Sequence, residues 1–122
     1  MKNKYIVLDF ETTGLYAEID EVLQVAIANE KREVLLNELC KPAKKKSWSE
    51  AQRIHGITKE MVYDKRCFSE YVKTIEAILS NSEYVVCYNI AFEKKFLTKY
   101  GIDTKKYKFV DAMLIFSKKY NQ

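Results

Sequence analysis

The sequence predicts a mixed α/β fold in which three neighbouring strands are followed by alternating helices and strands. Residues 4–9 (KYIVLD), 21–29 (EVLQVAIAN) and 33–39 (EVLLNEL) are rich in β-branched and apolar side chains, as buried strands are. The polar residues at 30–32 suit a short hairpin between the second and third strands. From residue 47 onwards the apolar positions alternate between helical and strand-like periods, which predicts helices packed on the same sheet.

Helices are predicted in the middle of the chain. The segment SWSE at 47–50 is typical of a capping box that opens a short helix, and Thr58 is placed to begin another. Between Phe68 and Leu79 the apolar side chains recur at helical spacing, which predicts a longer helix. We therefore expect helices to connect the third strand to the next one, YVVCY at 84–88.

The last third of the chain continues this alternation. Asn89 follows the strand at 84–88 and is placed to cap a helix, which Gly101 would end. A short final strand is predicted at 108–110. Asp111 follows this strand, and we interpret it as the cap of a last helix.

Composition predicts a single globular domain over residues 1–122, since 48% of the residues are apolar and 31% are charged. Cys40, Cys67 and Cys87 are odd in number and lack metal-ligand spacing, which argues against a disulfide framework or a zinc site. No apolar run approaches the ~20 residues that span a bilayer. We expect a cytoplasmic protein with reduced thiols and no membrane contact.

The charge is only mildly basic, at +4 from 21 Lys and Arg against 17 Asp and Glu, so it does not by itself indicate nucleic acid. The lysines are clustered, however: Lys41, Lys44, Lys45 and Lys46; Lys94, Lys95 and Lys99; Lys105, Lys106, Lys108, Lys118 and Lys119. A solvated surface explains each cluster taken singly. A phosphate-binding surface requires that the clusters border an acidic, metal-binding floor.

The segment DFETTG at 9–14 carries the clearest chemical signal. On a strand, Asp9 and Glu11 project to one face and Phe10 to the other. Two neighbouring carboxylates repel each other unless a cation or strong donors lie between them. Oxygen-binding divalent ions such as Mg²⁺ or Mn²⁺ are the natural partners. The structural alternative is a turn-forming Asp beside a solvated Glu.

A buried strand followed by DFETTG resembles the first motif of the DEDD 3′–5′ exonuclease superfamily, in particular DEDDh-type domains such as the proofreading epsilon subunit of DNA polymerase III. The resemblance implies a ribonuclease H-like fold, Mg²⁺ or Mn²⁺ ions bound by Asp9 and Glu11, and single-stranded DNA or RNA 3′ ends as the substrate. Thr12, Thr13 and Gly14 would lie beside the 3′-terminal nucleotide.

A second segment, CYNIAFEKKFL at 87–97, is similar to the second motif of the same family, whose usual form is HNxxFD. Asn89 and Phe92 stand at the expected places, whereas Tyr88 and Glu93 replace the usual His and Asp. The resemblance implies that Glu93 is a catalytic metal ligand, acting through water, and that Asn89 and Phe92 contact substrate. The alternative is that Glu93 is only a helix-face residue, whose negative charge is favourable near the helix N-terminus.

A third segment, RIHGIT at 53–58, is similar to the IHGIT segment of bacterial proofreading members. His55 is the only His of the chain, but it does not stand at the family's catalytic position. We interpret it as packing between a loop and a helix, with a substrate contact as its other candidate role, rather than as a general base.

The third motif of the family, a His followed four residues later by Asp, is expected on a later helix, and the sequence ends at Gln122 before it. The prediction is therefore a domain shortened before the last family helix, with slow turnover, because losing a general base typically costs ~10²–10⁴ in rate. The alternatives are an impaired remnant that binds nucleic acid or a protein, and a fragment completed by another chain. The apolar run at 113–116 also predicts a homodimer or a partner chain covering the last helix.

Overall fold

The fold is built on a five-stranded mixed sheet, seen in a computed structural model that describes residues 2–114. Its strands are β1 (Asn3–Thr12), β2 (Val22–Asn29), β3 (Val34–Leu39), β4 (Ser82–Cys87) and β5 (Phe109–Asp111). Across the sheet their order is β3-β2-β1-β4-β5. The first three strands are antiparallel neighbours, whereas β4 is parallel to β1 and β5 is parallel to β4. The predicted antiparallel start and α/β continuation are confirmed.

The helices connect these strands and cover the sheet. Within the described residues they are α1 (Ser49–His55), α2 (Lys59–Val62), α3 (Val72–Ser80) and α4 (Ile90–Lys99), with 3-10 turns at Phe68–Tyr71 and Thr104–Lys106. The helix predicted between Phe68 and Leu79 is thus divided into a 3-10 turn and α3. No helix in this part of the chain is long and apolar enough to cross a membrane.

The main core lies on one face of β1. Ile6, Leu8 and Phe10 are at most 4% exposed, and the Phe10 ring meets the edge of Phe68 at 5.5 Å between centroids. Side chains of α3 and α4 complete this core: Ile75, Leu79, Phe96 and Leu97. Because strand side chains alternate, the same packing directs Asp9 to the opposite face.

Strand β1 continues to Thr12, beyond the predicted end at residue 9. Glu11 pairs with Gln24 and Thr12 with Val22 of β2, and the register shifts between these two pairs. Pairing with β2 therefore extends β1 into the DFETTG segment, as far as Thr12. Glu11 and Thr12 are held in the sheet and are not part of a free turn.

The capping box predicted at 47–50 does not form. Trp48 occupies the N-cap of α1 without a side-chain capping bond. Its indole is instead buried, and its N–H donates to the carbonyl oxygen of Ile57 at 2.9 Å. Packing of this large ring with Leu23 and Val62 sets how the chain enters α1.

The other predicted helix ends are confirmed. The Thr58 hydroxyl accepts from the Met61 N–H at 3.3 Å, and Asn89 Oδ1 accepts from the Phe92 N–H at 3.2 Å. Gly101 follows α4 with a φ of 87°, a left-handed conformation that favours glycine.

Asp111 is a cap, as predicted, since its Oδ1 accepts from the Met113 N–H at 2.8 Å. Residues 112–114 begin a helix after β5. The rest of the predicted last helix, including Ile115 and Phe116, lies outside the described residues.

Candidate active site

Two carboxylates lie on the face of β1 that points away from the core. Burial raises the pKa of Asp9, although a backbone hydrogen bond from Phe10 acts in the opposite direction. Burial and then the charge of Asp9 raise the pKa of Glu11, while His55 opposes this. The charge of Asp9 thus acts on Glu11 as the repulsion that their spacing on a strand predicts.

Glu93 joins this pair from α4. Its position in the first turn follows from the Asn89 cap, and it is 4% exposed. Burial, then Asp9 and then Glu11 raise the pKa of Glu93 to about 8. Its Oε2 atom is buried and has no hydrogen-bond partner among the described residues. A buried carboxylate oxygen without a donor is costly, so the site is short of positive charge.

The chemistry of this donor set fits hard divalent ions. Mg²⁺ and Mn²⁺ prefer carboxylate oxygens, and the unpaired oxygen of Glu93 lies among charges that a cation would neutralise. Within residues 2–114, however, no three acidic, His or Cys side chains form a preassembled metal cage. A full coordination shell therefore needs water or substrate oxygens in addition to these carboxylates.

A cavity of about 590 Å³ borders Glu11. Its walls are the chain from Phe10 to Tyr16, the α1 residues Ile54 and His55, and Phe92 of α4. A volume of this size is typical of sites for small ligands such as a nucleotide. It brings together most of the predicted substrate contacts: Thr12, Thr13, Gly14, His55 and Phe92. Asn89 is outside the cavity lining, and its amide oxygen is used by the α4 cap.

Both threonine hydroxyls are already engaged in the turn after β1. Thr12 Oγ1 donates to the carbonyl oxygen of Gly14 at 2.6 Å. Thr13 Oγ1 donates to Asp20 Oδ1 at 2.8 Å and accepts from the Glu21 N–H at 3.0 Å. The two side chains are at most 7% exposed, so they shape the cavity wall. Their direct contact with a nucleotide stays a prediction.

Gly14 is required for space, and not for the turn conformation that its position suggested. A Cβ atom there would lie 2.4 Å from Asp20 Oδ2. Asp20 itself is held in place, since its Oδ2 accepts from the Tyr16 N–H at 3.0 Å and its side chain is buried. Only glycine allows this carboxylate to approach the backbone so closely.

His55 ties α1 to the end of β1. Its Nδ1 accepts from the Ile57 N–H at 3.0 Å, and its Nε2 lies 2.9 Å from the carbonyl oxygen of Thr12. A backbone N–H can only donate, so Nδ1 is unprotonated and Nε2 carries the hydrogen and donates. With both ring nitrogens in hydrogen bonds, His55 agrees with the packing role and not with a free general base.

No role was predicted for Asp20 and Glu21 beside the cavity, and Lys45 was predicted only as a member of a lysine cluster. Glu21 accepts from the backbone N–H groups of Ala43, Lys44 and Lys45, and Lys45 Nζ lies 3.3 Å from Asp20 Oδ1. The only sequence signal was a pair of acids directly before an apolar strand. Their partners lie more than 20 positions away, except for those in the turn itself.

The sequence matches known proteins over most of its length. A family model described as exonuclease, RNase_T, matches residues 6–120. DNA polymerase III PolC-type of Thermotoga petrophila is 34% identical over 96 residues, which cover 76% of this chain and 7% of that protein. The chain thus spans a small part of this relative's length.

Solved structures of Exonuclease I from E. coli share the fold. The complex with a dA16 oligonucleotide matches with a TM-score of 0.75 and 19% identity, over 95% of this chain and 29% of that one. The zinc-bound form of the complex with single-stranded DNA matches with a TM-score of 0.78 and 18% identity, over 98% and 30%. The ribonuclease H-like arrangement predicted from the motifs is confirmed.

Proposed function

Because this chain belongs to the RNase_T exonuclease family, within the DEDD superfamily, we propose that it removes mononucleotides from the 3′ ends of single-stranded DNA or RNA in the cytoplasm. The observation that carries the proposal is the buried, unpaired Oε2 of Glu93 among the charges of Asp9 and Glu11. This deficit of positive charge lies beside a cavity that suits a terminal nucleotide.

In the proposed mechanism, the chain's own residues hold and orient the reactants. Asp9 and Glu11 would hold Mg²⁺ or Mn²⁺, with Glu93 as an outer ligand. When bound, two such ions supply a hydroxide nucleophile and stabilise the leaving oxygen. Phe92 offers an apolar ring in the cavity wall for the terminal base, while Thr12 and its neighbours fix the shape of the opposite wall.

A second candidate function is binding of nucleic acid without efficient hydrolysis. The observation that favours it is the state of His55, the single His of the chain, whose two ring nitrogens are both used in hydrogen bonds. His55 is therefore not free to take a proton from water. Since a general base typically contributes ~10²–10⁴ in rate, turnover by this chain would be slow.

A labelled single-stranded oligonucleotide distinguishes the two functions. With Mn²⁺, we expect stepwise release of 5′-mononucleotides. Asp9→Asn should reduce the rate roughly a hundredfold or more, because bound metal contributes several kcal/mol to such reactions. Glu83→Gln, at an exposed carboxylate on β4, is the matched control and should keep the wild-type rate. Salt-sensitive binding with no product at high protein concentration would favour the second function.

We also propose that the surface around residues 113 and 114 contacts a second copy or a partner chain. Met113 and Leu114 are 60% and 61% exposed, so two consecutive apolar side chains face solvent there. Size-exclusion chromatography with light scattering should show a dimer whose population falls in Leu114→Asp. A monomer at all concentrations, with no partner recovered from its source, would contradict this proposal.

A further inference from the structure

A basic groove lies on the loop between β3 and α1. It has a volume of about 330 Å³ and is lined by lysines and by an aromatic wall. We call it the lysine groove, defined by Lys41, Lys44, Lys45, Lys46, Lys59, Trp48 and Tyr63. Among the described residues that line it, none is acidic. This concentration of one charge sign around a concave surface attracts anions.

The lysine groove adjoins the cavity at the candidate active site. Lys45 belongs to the walls of both. Its Nζ lies 3.3 Å from Asp20 Oδ1, and that carboxylate also accepts from the Thr13 hydroxyl. One lysine therefore stands at the junction, and a chain of phosphates leaving the cavity on that side would enter the groove.

The loop that carries these lysines is held in one conformation by a buried carboxylate. Glu21 is 9% exposed and accepts from the N–H groups of Ala43, Lys44 and Lys45 at 2.6, 2.9 and 2.8 Å. Burial alone would raise the pKa of Glu21, but these donors together hold it below its usual value. Glu21 thus remains ionised and fixes the loop, so less entropy is lost when a ligand binds.

The positive charge of the groove is available to a ligand. Of its lysines only Lys45 is paired with a described carboxylate. Lys44, Lys46 and Lys59 are exposed, and Tyr63 beside them has 66% of its surface exposed. Proteins that bind single strands without sequence preference combine a basic groove along the backbone with aromatic rings on which bases stack.

We propose that the lysine groove binds the phosphate backbone of a single strand next to its 3′-terminal nucleotide. The inference rests on the proposed function for the direction of the bound strand, since the 3′-terminal nucleotide is assigned to the adjoining cavity. A strand of several nucleotides then contacts both surfaces, whereas a dinucleotide reaches little beyond the cavity. The groove thereby selects single strands by length and not by sequence.

The test is a binding measurement that does not require hydrolysis. Fluorescence anisotropy with a labelled dT12 and a labelled dinucleotide, in EDTA, is recorded from 25 to 300 mM salt. The variant carries three substitutions in the groove, Lys44→Gln, Lys46→Gln and Lys59→Gln. The matched control removes the same charge from exposed positions elsewhere, with Lys31→Gln, Lys73→Gln and Lys105→Gln.

For the groove variant we expect the slope of log affinity against log salt with dT12 to become shallower by about 2, since each lost phosphate contact contributes about 0.7 for a single strand. The dinucleotide should change much less, and the control variant should keep the wild-type slope with dT12. Equal slopes for the wild type, the groove variant and the control would overturn the proposal. If the groove variant loses its slope while the wild type hydrolyses nothing, the groove stands and the proposed exonuclease activity fails.

Discussion

Glu21 and Glu93 are both buried glutamates close to the same cavity, but their surroundings are opposite. Glu21 is surrounded by donors, with three backbone N–H groups directed at its oxygens. Glu93 has a buried oxygen without a described partner and lies in the field of two other carboxylates. The pKa of the first is lowered and that of the second is raised to about 8.

The difference separates a buried carboxylate whose hydrogen bonds are satisfied from one that is left without a donor. A satisfied buried acid stabilises the chain around it, here the turn and the lysine-bearing loop. A buried acid without hydrogen-bond partners lowers the stability of the ligand-free protein. Such an acid is retained where a cation or substrate supplies the missing partner. The contrast predicts that substitutions at the two positions have effects of opposite sign on stability.

The largest effect is expected for Glu21→Gln. The amide has one acceptor oxygen in place of two, so backbone donors of the 43–45 segment lose their partner, at a cost of roughly 2–4 kcal/mol. Urea unfolding at pH 7 measures this, with Glu38→Gln at an exposed site of β3 as the control. An unchanged midpoint would show that the loop does not depend on Glu21.

Gly14→Ala tests the same structural region through packing. The new Cβ would lie 2.4 Å from Asp20 Oδ2, and the buried aspartate cannot move without losing its bonds to Thr13 and Tyr16. We expect a loss of roughly 1–3 kcal/mol, as for other overpacked sites, together with weaker nucleotide binding.

Gly101→Ala is the control for this variant, because it disturbs only the left-handed end of α4 and costs about 1 kcal/mol. Both variants should be less stable in thermal unfolding, whereas only Gly14→Ala should change the affinity for a mononucleotide. If Gly14→Ala bound a mononucleotide with wild-type affinity, the turn at Gly14 would not contribute to nucleotide binding in the cavity.

The smallest expected effect, for a change of one pH unit, is the pH dependence of stability that Glu93 causes. Its folded pKa of about 8 lies above the ordinary value of 4.5, so between these values the folded chain keeps a proton that the unfolded chain releases. The free energy of unfolding without metal should therefore fall as pH rises, by about 1 kcal/mol from pH 6 to 7. The contribution is complete below the unfolded pKa and lost above the folded one.

Glu93→Gln should remove that slope and stabilise the protein at pH 8, in contrast to Glu21→Gln. Urea unfolding in EDTA at intervals from pH 5 to 9 gives the comparison. The same slope in the wild type and in Glu93→Gln would show that another group causes the pH dependence.

Local patterns were sufficient for much of the fold. Strand alternation placed Asp9 and Glu11 on one face, and the caps at Thr58 and Asn89 followed from residue type and position. These predictions succeeded because their partners are at most three positions away. The capping box at 47–50 failed because the burial of Trp48 outweighed a hydroxyl hydrogen bond.

The sequence by itself determined the family and the common direction of Asp9 and Glu11, because a strand fixes the relative directions of neighbouring side chains. Only the tertiary structure decided that Glu93 lies among these charges, that His55 donates to Thr12 over 43 positions, and that Glu21 holds the lysine loop. These interactions join residues that are far apart in the chain. Local sequence patterns therefore do not reveal them, and they form only when the folded sheet brings the distant segments together.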